Sequence, residues 1–318
     1  MRELKYRQET LTSWRGIKDT LPEHDVRSGS WVFRGVANPD YYLWTSFERA
    51  LLSAAQVQEP CFDARHTRLR EILKGDRPFE FKAYDGTPQK RTVFELEMGL
   101  ERAFLRKLQS VCPGMRVPQD RLEIQSLMQH YGAPTSLLDW SYSCWVALFM
   151  AIEAGGVQQR CAVWALNIDW LRTQVDRLLH STEVALDDLD RNLQKEKAFE
   201  NTFRRMGCPT SFVMPVNPYY LNPRLGAQQG LFLCSGNLTI PLEDNLAKVQ
   251  DYDRCSAKNN LVLYTIDLTV AEKKTTVGEL FRMNMYPVAL YPDIQGFAKS
   301  MWTLLFFPRL VAPPDSKY

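Results

Sequence analysis

The 318-residue sequence lacks the cysteine and histidine patterns that mark disulfide-rich and metal-binding proteins. Its seven cysteines are scattered and never form a CxxC pair, which argues against a disulfide framework and a zinc site. Its four histidines are far apart and show no ligand spacing such as HExxH. We therefore expect no bound metal.

Long apolar segments are also missing. The first ten residues, MRELKYRQET, contain no apolar run typical of a signal peptide. The longest apolar stretch runs over the nine residues 144–152, which is too short to span a bilayer. We expect a cytoplasmic protein without a membrane partner.

By themselves, neither the net charge nor the glycine pattern indicates a nucleic-acid-binding protein or a nucleotide-binding fold. Lys and Arg number 39 and Asp and Glu 37, so the net charge is only +2. This balance argues against tight nonspecific binding of nucleic acid, although a local basic patch does not depend on net charge, and nucleic acid is not excluded as a partner. No GxGxxG or GxxxxGK[ST] motif occurs, which disfavours Rossmann and P-loop folds.

Hydrophobic periodicity and turn residues predict a mixture of helices and strands without strict βαβ alternation. In the predicted helix 92–110, the buried face is marked by Phe94, Met98 and Leu108. Glu101 is predicted to lie on the solvent-exposed face. Pro223 is among the prolines that argue against helix after residue 209. The predicted strands cover 29–35, 161–168, 230–235 and 261–266, with an extended segment at 134–140; the predicted helices cover 45–57, 92–110, 122–131, 142–153, 187–206, 277–284 and 293–306.

The chain is interpreted as a single domain over 1–318 that carries two insertions. A charged segment with several glycines and prolines predicts an irregular or helical insertion near 58–91. A helical insertion is predicted near 170–207.

Five segments together resemble the FRG domain family, which is named for its Phe-Arg-Gly motif. They are WVFRG (31–35), QHYGAPTSLLDWSYSCWVALFMA (129–151), CAVWALNI (161–168), NPRLGAQQGLF (222–232) and LYPDIQGFA (290–298). The sequence departs from the family pattern at Ser136, where an arginine is usual. FRG domains are distantly similar to the ADP-ribosyltransferase fold. The resemblance therefore implies an α+β fold with a split, mostly antiparallel sheet, flanking helices and an NAD cleft.

The same resemblance implies an NAD-consuming, ADP-ribosyltransferase-like enzyme, with NAD as cosubstrate and an unknown macromolecular acceptor. We expect a role in bacterial or phage conflict. One alternative is a catalytically inactive module that binds a nucleotide or a protein. A further alternative is a nucleic-acid-acting toxin.

Arg34 and Gly35, in the Phe-Arg-Gly motif, are expected to contact NAD. A guanidinium at a strand end offers five donors and pairs with phosphate in a bidentate manner. The alternative is a structural Arg34 paired with a buried carboxylate, for which Asp139 is a candidate. Asp139 itself is expected either to orient Arg34 and stabilise positive charge on the ribose, or to cap the helix that starts near residue 142.

Polar and aromatic residues around 131–141 are the next candidates. Thr135 and Ser141 have hydroxyls that can bond the ribose or the carboxamide, and Tyr131 and Trp140 have rings that can stack on nicotinamide. The alternatives are that Trp140 belongs to the core and that Ser141 is a helix N-cap.

Gln228 and Gln229 lie where transferases carry a Gln-x-Glu or Glu-x-Glu motif, but no glutamate follows them here. A glutamine can bond a ribose hydroxyl, but it cannot act as a base. Either Asp139, Glu153 or Asp293 replaces the missing carboxylate, or the cleft binds without reacting. The alternative for the two glutamines is a turn that satisfies backbone groups.

Three more side chains have two interpretations each. His130 is a general base or closes a helix, where a C-terminal histidine is favoured. Arg224 is a second phosphate contact or an exposed loop residue. Asp293 is expected to cap the last helix, and its alternative is a supporting position at the site.

Overall fold

The computed structural model describes residues 4–22, 30–55, 62–74, 79–82, 88–118, 120–155, 160–180, 210–219, 222–294, 296–298 and 301. Within these residues the strands form a seven-stranded sheet and a separate two-stranded hairpin. The strands of the sheet are β1 (Arg7–Leu11), β2 (Trp31–Val36), β5 (Leu137–Ser141), β6 (Cys161–Asn167), β7 (Val213–Val216), β8 (Gly230–Ser235) and β9 (Leu261–Ile266), and those of the hairpin are β3 (Phe79–Lys82) and β4 (Pro88–Arg91).

Helices cover both faces of the sheet. They are α1 (Trp14–Thr20), α2 (Ser46–Ala54), α3 (Phe62–Leu73), α4 (Val93–Val111), α5 (Arg121–His130), α6 (Cys144–Gly155), α7 (Ile168–His180), α8 (Pro223–Ala227), α9 (Leu242–Gln250), α10 (Ala257–Asn260), α11 (Val270–Arg282) and α12 (Pro287–Leu290). No helix in the described ranges is long and apolar enough to cross a membrane.

The sheet runs in the order β1-β9-β6-β2-β5-β8-β7. Only β1 and β9 are parallel, and the other neighbours are antiparallel. The structure therefore confirms the predicted α+β class with a mostly antiparallel sheet. Pro215 lies in β7, the last strand of the sheet, where a missing backbone donor does not interrupt a ladder.

The predicted strands 230–235 and 261–266 match β8 and β9. The segment near 58–91 is helical over α3, as one alternative held, but the hairpin β3–β4 was not predicted. Predicted helix 277–284 begins seven residues earlier, at Val270, because Thr269 accepts the backbone N–H of Glu272 and caps it there. Predicted helix 187–206 lies outside the described residues.

Two expectations from local sequence were wrong. Pro223 begins α8 at its first position, since Asn222 caps that helix by accepting the N–H of Leu225 at 2.8 Å. Glu101 is buried, because Arg121 from α5 donates to its carboxylate at 2.8 and 2.9 Å and also to Glu97 at 3.2 Å. A buried ion cluster therefore lies where a solvated helix face was expected.

The glycine of the Phe-Arg-Gly motif lets helix α6 lie directly on strand β2. A Cβ atom at Gly35 would be 2.0 Å from the carbonyl oxygen of Ala147 and 2.6 Å from the amide nitrogen of Ala151. Both obstacles are backbone atoms of a buried helix, so no side-chain rotation relieves the overlap. The close contact between α6 and the centre of the sheet thus requires glycine at this position.

We predict that Gly35→Ala lowers the free energy of unfolding by about 3 kcal/mol or more, because the added methyl group forces α6 away from β2. The matched control is Gly278→Ala in α11, where a Cβ meets nothing within 4 Å. That change should stabilise the protein by about 0.5–1 kcal/mol through helix propensity. Urea unfolding of both variants measures the difference, and equal stabilities would contradict the packing argument.

Candidate functional site

The three sequence motifs with predicted catalytic residues lie on adjacent strands. Arg34 is on β2, Asp139 is on the neighbouring β5, and Gln228 lies two residues before the start of β8, the next strand along. Strands β2 and β5 are joined at a single pair, Phe33 with Ser141. Beyond that pair the guanidinium of Arg34 donates to the backbone carbonyl of Asp139 at 2.6 Å. A side chain therefore replaces the backbone ladder where the sheet splits.

This hydrogen bond shows which group of Asp139 the guanidinium of Arg34 contacts. It bonds the carbonyl of Asp139 and not the carboxylate, so the predicted structural ion pair is absent. Burial lowers the pKa of Arg34 to about 10; the charge of Asp139 opposes this shift and the charge of Arg49 adds to it. Asp139 is exposed, and its carboxylate forms no hydrogen bond with the described part of the chain.

Asp139, Gln228, His130 and Arg224 line one small cleft of about 50 Å³. It adjoins a wider depression of about 320 Å³ next to Met115. The two share the side chains of Ser126, His130 and Asn222. The larger depression has the size of a ligand pocket, whereas the part beside Asp139 holds only small groups.

His130 ends α5 and faces this cleft. Its Nδ1 atom is buried without a hydrogen-bond partner in the described residues. Burial and then the charge of Arg224 lower its pKa, against the attraction of Asp293, so the imidazole is neutral near pH 7. A neutral imidazole can accept a proton, and its role as a general base stays a prediction.

The segment 290–298 is tied to the other motifs by three contacts. Gln228 donates its side-chain amide to the carbonyl of Leu290 at 3.0 Å. Arg224 lies over the ring of Tyr291, 4.8 Å from its centroid. The Tyr291 hydroxyl donates to Glu153 at 2.9 Å, which occupies that carboxylate. Of the three candidate replacements for the missing glutamate, Asp139 alone is left uncommitted, because Asp293 accepts the N–H of Gly296 as the predicted N-cap.

The polar side chains around 135–141 that were predicted to bond a ligand are hydrogen-bonded within the protein. Thr135 is buried, donates its hydroxyl to Gln129, and accepts the N–H of Phe47 on its carbonyl at 3.0 Å. Ser141 donates to the carbonyl of Gln228 at 2.7 Å and accepts the N–H of Ser143 at 2.9 Å. Helix α2 is capped by Thr45, which accepts the N–H of Glu48, and α6 is capped by Ser143, which accepts the N–H of Val146 at 3.4 Å, and not by Asp139.

Trp140 is only 3% exposed and packs in the core, as its alternative held. Tyr131 is 55% exposed beside His130, so it is open to a ligand. Gln229 is exposed with a φ of 46°, and its carbonyl accepts the N–H of Tyr142 at 2.9 Å, which matches the predicted turn. Whether these residues or Gly35 contact NAD stays a prediction.

A groove of about 790 Å³ crosses the sheet near Arg34 and was not predicted. Gln8, Leu263 and Trp164 lie side by side on β1, β9 and β6 and line its floor. Trp164 is in turn the cross-strand partner of Arg34. Because direct partners project to the same face, Arg34 continues the row that forms the floor.

One wall of the groove is an aromatic stack tied to an ion cluster. Trp44 donates to Nδ1 of His66 at 2.9 Å, and Tyr42 stacks on both rings. This contact fixes the neutral tautomer of His66, whose Nε2 then donates to Asp244 at 3.1 Å. His66 is therefore occupied on both nitrogens and cannot serve as a base. Arg70 adds two bonds to Asp244, of 2.5 and 2.6 Å.

The sequence predicted neither Arg49 as a site residue nor the presence of this groove. Arg49 lies on α2 and donates to the carbonyl of Trp44 at 2.7 Å. Its only sequence signal is a charged position within the predicted helix 45–57. Within the described ranges, no group of three or more His, Cys, Asp or Glu residues is arranged to hold a metal ion.

We predict that Asp244→Asn destabilises the protein by about 2 kcal/mol at pH 7. Burial opposes ionisation of Asp244, but the bonds from Arg70 and His66 lower its pKa from 3.8 to about 2. A depressed carboxyl pKa stabilises the fold above the unfolded pKa and loses that effect as the pH falls. Thermal unfolding of both proteins should therefore show a gap that narrows between pH 4 and pH 2. A gap independent of pH would contradict the ion pairing.

Comparison with protein families identifies a family model that matches part of the chain. The FRG domain family model matches residues 29–159, which include the Phe-Arg-Gly motif, β5 and α6. No curated protein and no solved structure matches the chain. The motifs at 222–232 and 290–298 lie beyond the matched segment, yet they contact it through the hydrogen bonds of Ser141 and Tyr291. The chain therefore carries an FRG domain over residues 29–159.

Proposed function

We propose that this FRG domain protein is an ADP-ribosyltransferase-like enzyme that consumes NAD and transfers ADP-ribose to a macromolecular acceptor. The observation that carries the proposal is that Asp139 and Gln228 line one cleft, while Arg34 on the neighbouring strand β2 donates to the backbone carbonyl of Asp139. A guanidinium with unused donors and an uncommitted carboxylate therefore belong to neighbouring strands at the split of the sheet.

The residues present fit NAD as a substrate. Arg34 uses one of its five guanidinium N–H groups within the described chain, so four remain for phosphate oxygens. The groove whose floor includes Trp164, the cross-strand partner of Arg34, has a volume of about 790 Å³, within the range of about 300–1,000 Å³ that is usual for ligand pockets; Arg34 and Asp139 are not among the residues that line it.

Asp139 is the carboxylate suited to the transfer step. The bond between ribose C1′ and the nicotinamide nitrogen breaks, and its electron pair remains on nicotinamide. The ribose develops oxocarbenium character, which an anionic side chain stabilises. A lone pair of the acceptor forms the new bond to C1′, and the proton it loses passes to Asp139. An exposed carboxylate without a hydrogen bond is free for both tasks.

The hydrogen bonding of Gln228 favours a second function. Its amide is bound to the carbonyl of Leu290, and the cavity beside Asp139 is only about 50 Å³. No glutamate follows Gln228 and Gln229 to act as the usual catalytic anion. These features fit a module that binds a nucleotide or a protein without turnover.

We predict that Asp139→Asn lowers the rate of nicotinamide release from labelled NAD by at least about 100-fold, the loss expected for a general base. Its melting temperature should stay close to that of the parent, because the carboxylate is exposed and unbonded. The matched control is Asp19→Asn on α1, an exposed aspartate that should leave the rate unchanged.

Two results would contradict the enzyme proposal. One is an Asp139→Asn variant as active as the parent. The other is a parent protein that binds NAD saturably but releases no nicotinamide with any lysate fraction as acceptor source, which would support the binding module instead.

A further inference from the structure

The groove of about 790 Å³ over the sheet is lined by more carboxylates than cations. Its described lining contains Arg70 as the one lysine or arginine, and its carboxylates are those of Asp40, Asp63, Glu243 and Asp244. Arg70 is bonded twice to Asp244, at 2.5 and 2.6 Å, so these two charges neutralise each other. The remaining carboxylates give the groove a negative potential that favours a cationic ligand.

Two of these carboxylates are exposed and are not paired with a cation. The carboxylate of Asp40 forms no hydrogen bond or ion pair with the described part of the chain. Asp63 accepts the hydroxyl of Tyr42, but no lysine or arginine in the described ranges pairs with it. Both side chains are therefore available to a charged group from outside the chain.

Glu243 adds a carboxyl group that is less exposed. It is half-buried and accepts the backbone N–H of Leu43 at 2.7 Å. Burial, helped by the charge of Asp244, raises the pKa of Glu243 to about 8, so without a ligand it is largely uncharged at pH 7. A cation bound nearby would lower this pKa and draw the carboxyl group into its charged form.

Aromatic side chains lie next to the two exposed carboxylates. Tyr41 follows Asp40 in the chain and Phe62 precedes Asp63, and the two rings meet edge to face with 5.1 Å between their centroids. The hydrogen bond from Tyr42 to Asp63 joins the same two segments. An aromatic surface accommodates the methylene stem of a lysine or arginine side chain and attracts its charge. Charge and ring surface therefore occur together in this part of the lining.

The floor of the groove contains a hydrogen-bond donor without a partner. Trp164 lines the floor and is only 3% exposed, and its indole N–H is buried with no acceptor among the residues that the structure describes. The indole N–H of Trp44, by contrast, donates to His66 at 2.9 Å. A buried unpaired donor favours a ligand that brings an acceptor oxygen. A peptide backbone carries such an oxygen on every residue, whereas a simple amine carries none.

We infer that the groove binds a basic peptide segment of a partner protein. Asp40 and Asp63 hold the cationic head of a lysine or arginine side chain, and the neighbouring rings cover its methylene stem. The indole N–H of Trp164 donates to a backbone carbonyl of the peptide. The inference goes beyond the proposed function, because none of the three candidate catalytic residues lines the groove. Binding can therefore be tested without NAD.

The test is calorimetric titration of the full chain with the end-capped hexapeptide Arg-Gly-Lys-Gly-Arg-Gly and with its acidic counterpart Glu-Gly-Glu-Gly-Glu-Gly. The parent protein should bind the basic peptide saturably and should not bind the acidic one. Asp40→Asn and Asp63→Asn should each weaken binding of the basic peptide by about 3–10-fold, the effect of losing a charge-assisted contact. The control is Asp19→Asn on α1, outside the groove lining, which should bind within about twofold of the parent.

Spermine separates a peptide site from a plain cation site, because it carries positive charge but no carbonyl. Trp164→Phe keeps an aromatic ring and removes the N–H, so it should weaken binding of the basic peptide by about 3–10-fold and leave the weaker binding of spermine unchanged. Equal losses for both probes, or no loss for either, would overturn the peptide assignment. Melting curves show whether each variant is folded, and the two aspartate variants keep the test valid if Trp164→Phe is unstable.

The inference fails if the parent protein does not bind the basic peptide saturably, or if Asp40→Asn and Asp63→Asn both bind it as well as Asp19→Asn does. Failure of the proposed function has a different signature. In that case peptide binding depends on the two aspartates, but no nicotinamide is released from NAD. Conversely, Asp139-dependent release of nicotinamide by a protein that binds no basic peptide would sink the groove site alone.

Discussion

The site depends on one hydrogen bond, from the guanidinium of Arg34 to the carbonyl of Asp139. Strands β2 and β5 share a single backbone pair, so their edges would otherwise expose donors and acceptors inside the protein. A long cationic side chain reaches across the opening and satisfies one of these acceptors. The same residue then keeps most of its donors for a ligand. Structural closure of the sheet and a candidate anion site thus share one side chain.

The second requirement is the position of α6, which Gly35 allows to lie on β2. Helix α6 supplies Glu153, which accepts the hydroxyl of Tyr291, and Arg224 lies over the same tyrosine ring. Gln228 bonds the neighbouring carbonyl of Leu290. Segments more than a hundred residues apart are therefore fixed around Asp139, and its carboxylate forms no hydrogen bond with the residues that the structure describes.

Strands β8 and β9 were predictable because their apolar runs are short, rich in branched residues and bounded by turn chemistry. The cap residue Asp293 was predictable because a polar side chain before a helix has few other local tasks. The burial of Glu101 was not, since only the approach of Arg121 from another helix makes a glutamate acceptable inside. Local pattern carries no information about such a partner.

The candidate site likewise has features that could be predicted from the sequence and features that could not. The motif order predicted one cleft for Arg34, Asp139 and Gln228; Asp139 and Gln228 line a common cleft, whereas Arg34 contacts the backbone carbonyl of Asp139 from the neighbouring strand. The sequence could not show that Arg34 bonds a carbonyl rather than a carboxylate, or that Gln228 is engaged with Leu290. Arg49 and the groove depend on how α2 and α3 pack over the sheet, which no short spacing encodes.

The most direct test of the account is a crystal structure of the protein with a non-hydrolysable NAD analogue. The account predicts that the diphosphate of the analogue contacts Arg34 and that the nicotinamide ribose lies next to the carboxylate of Asp139. An analogue bound away from both residues, with Arg34 still bonded only to the carbonyl of Asp139, would contradict it.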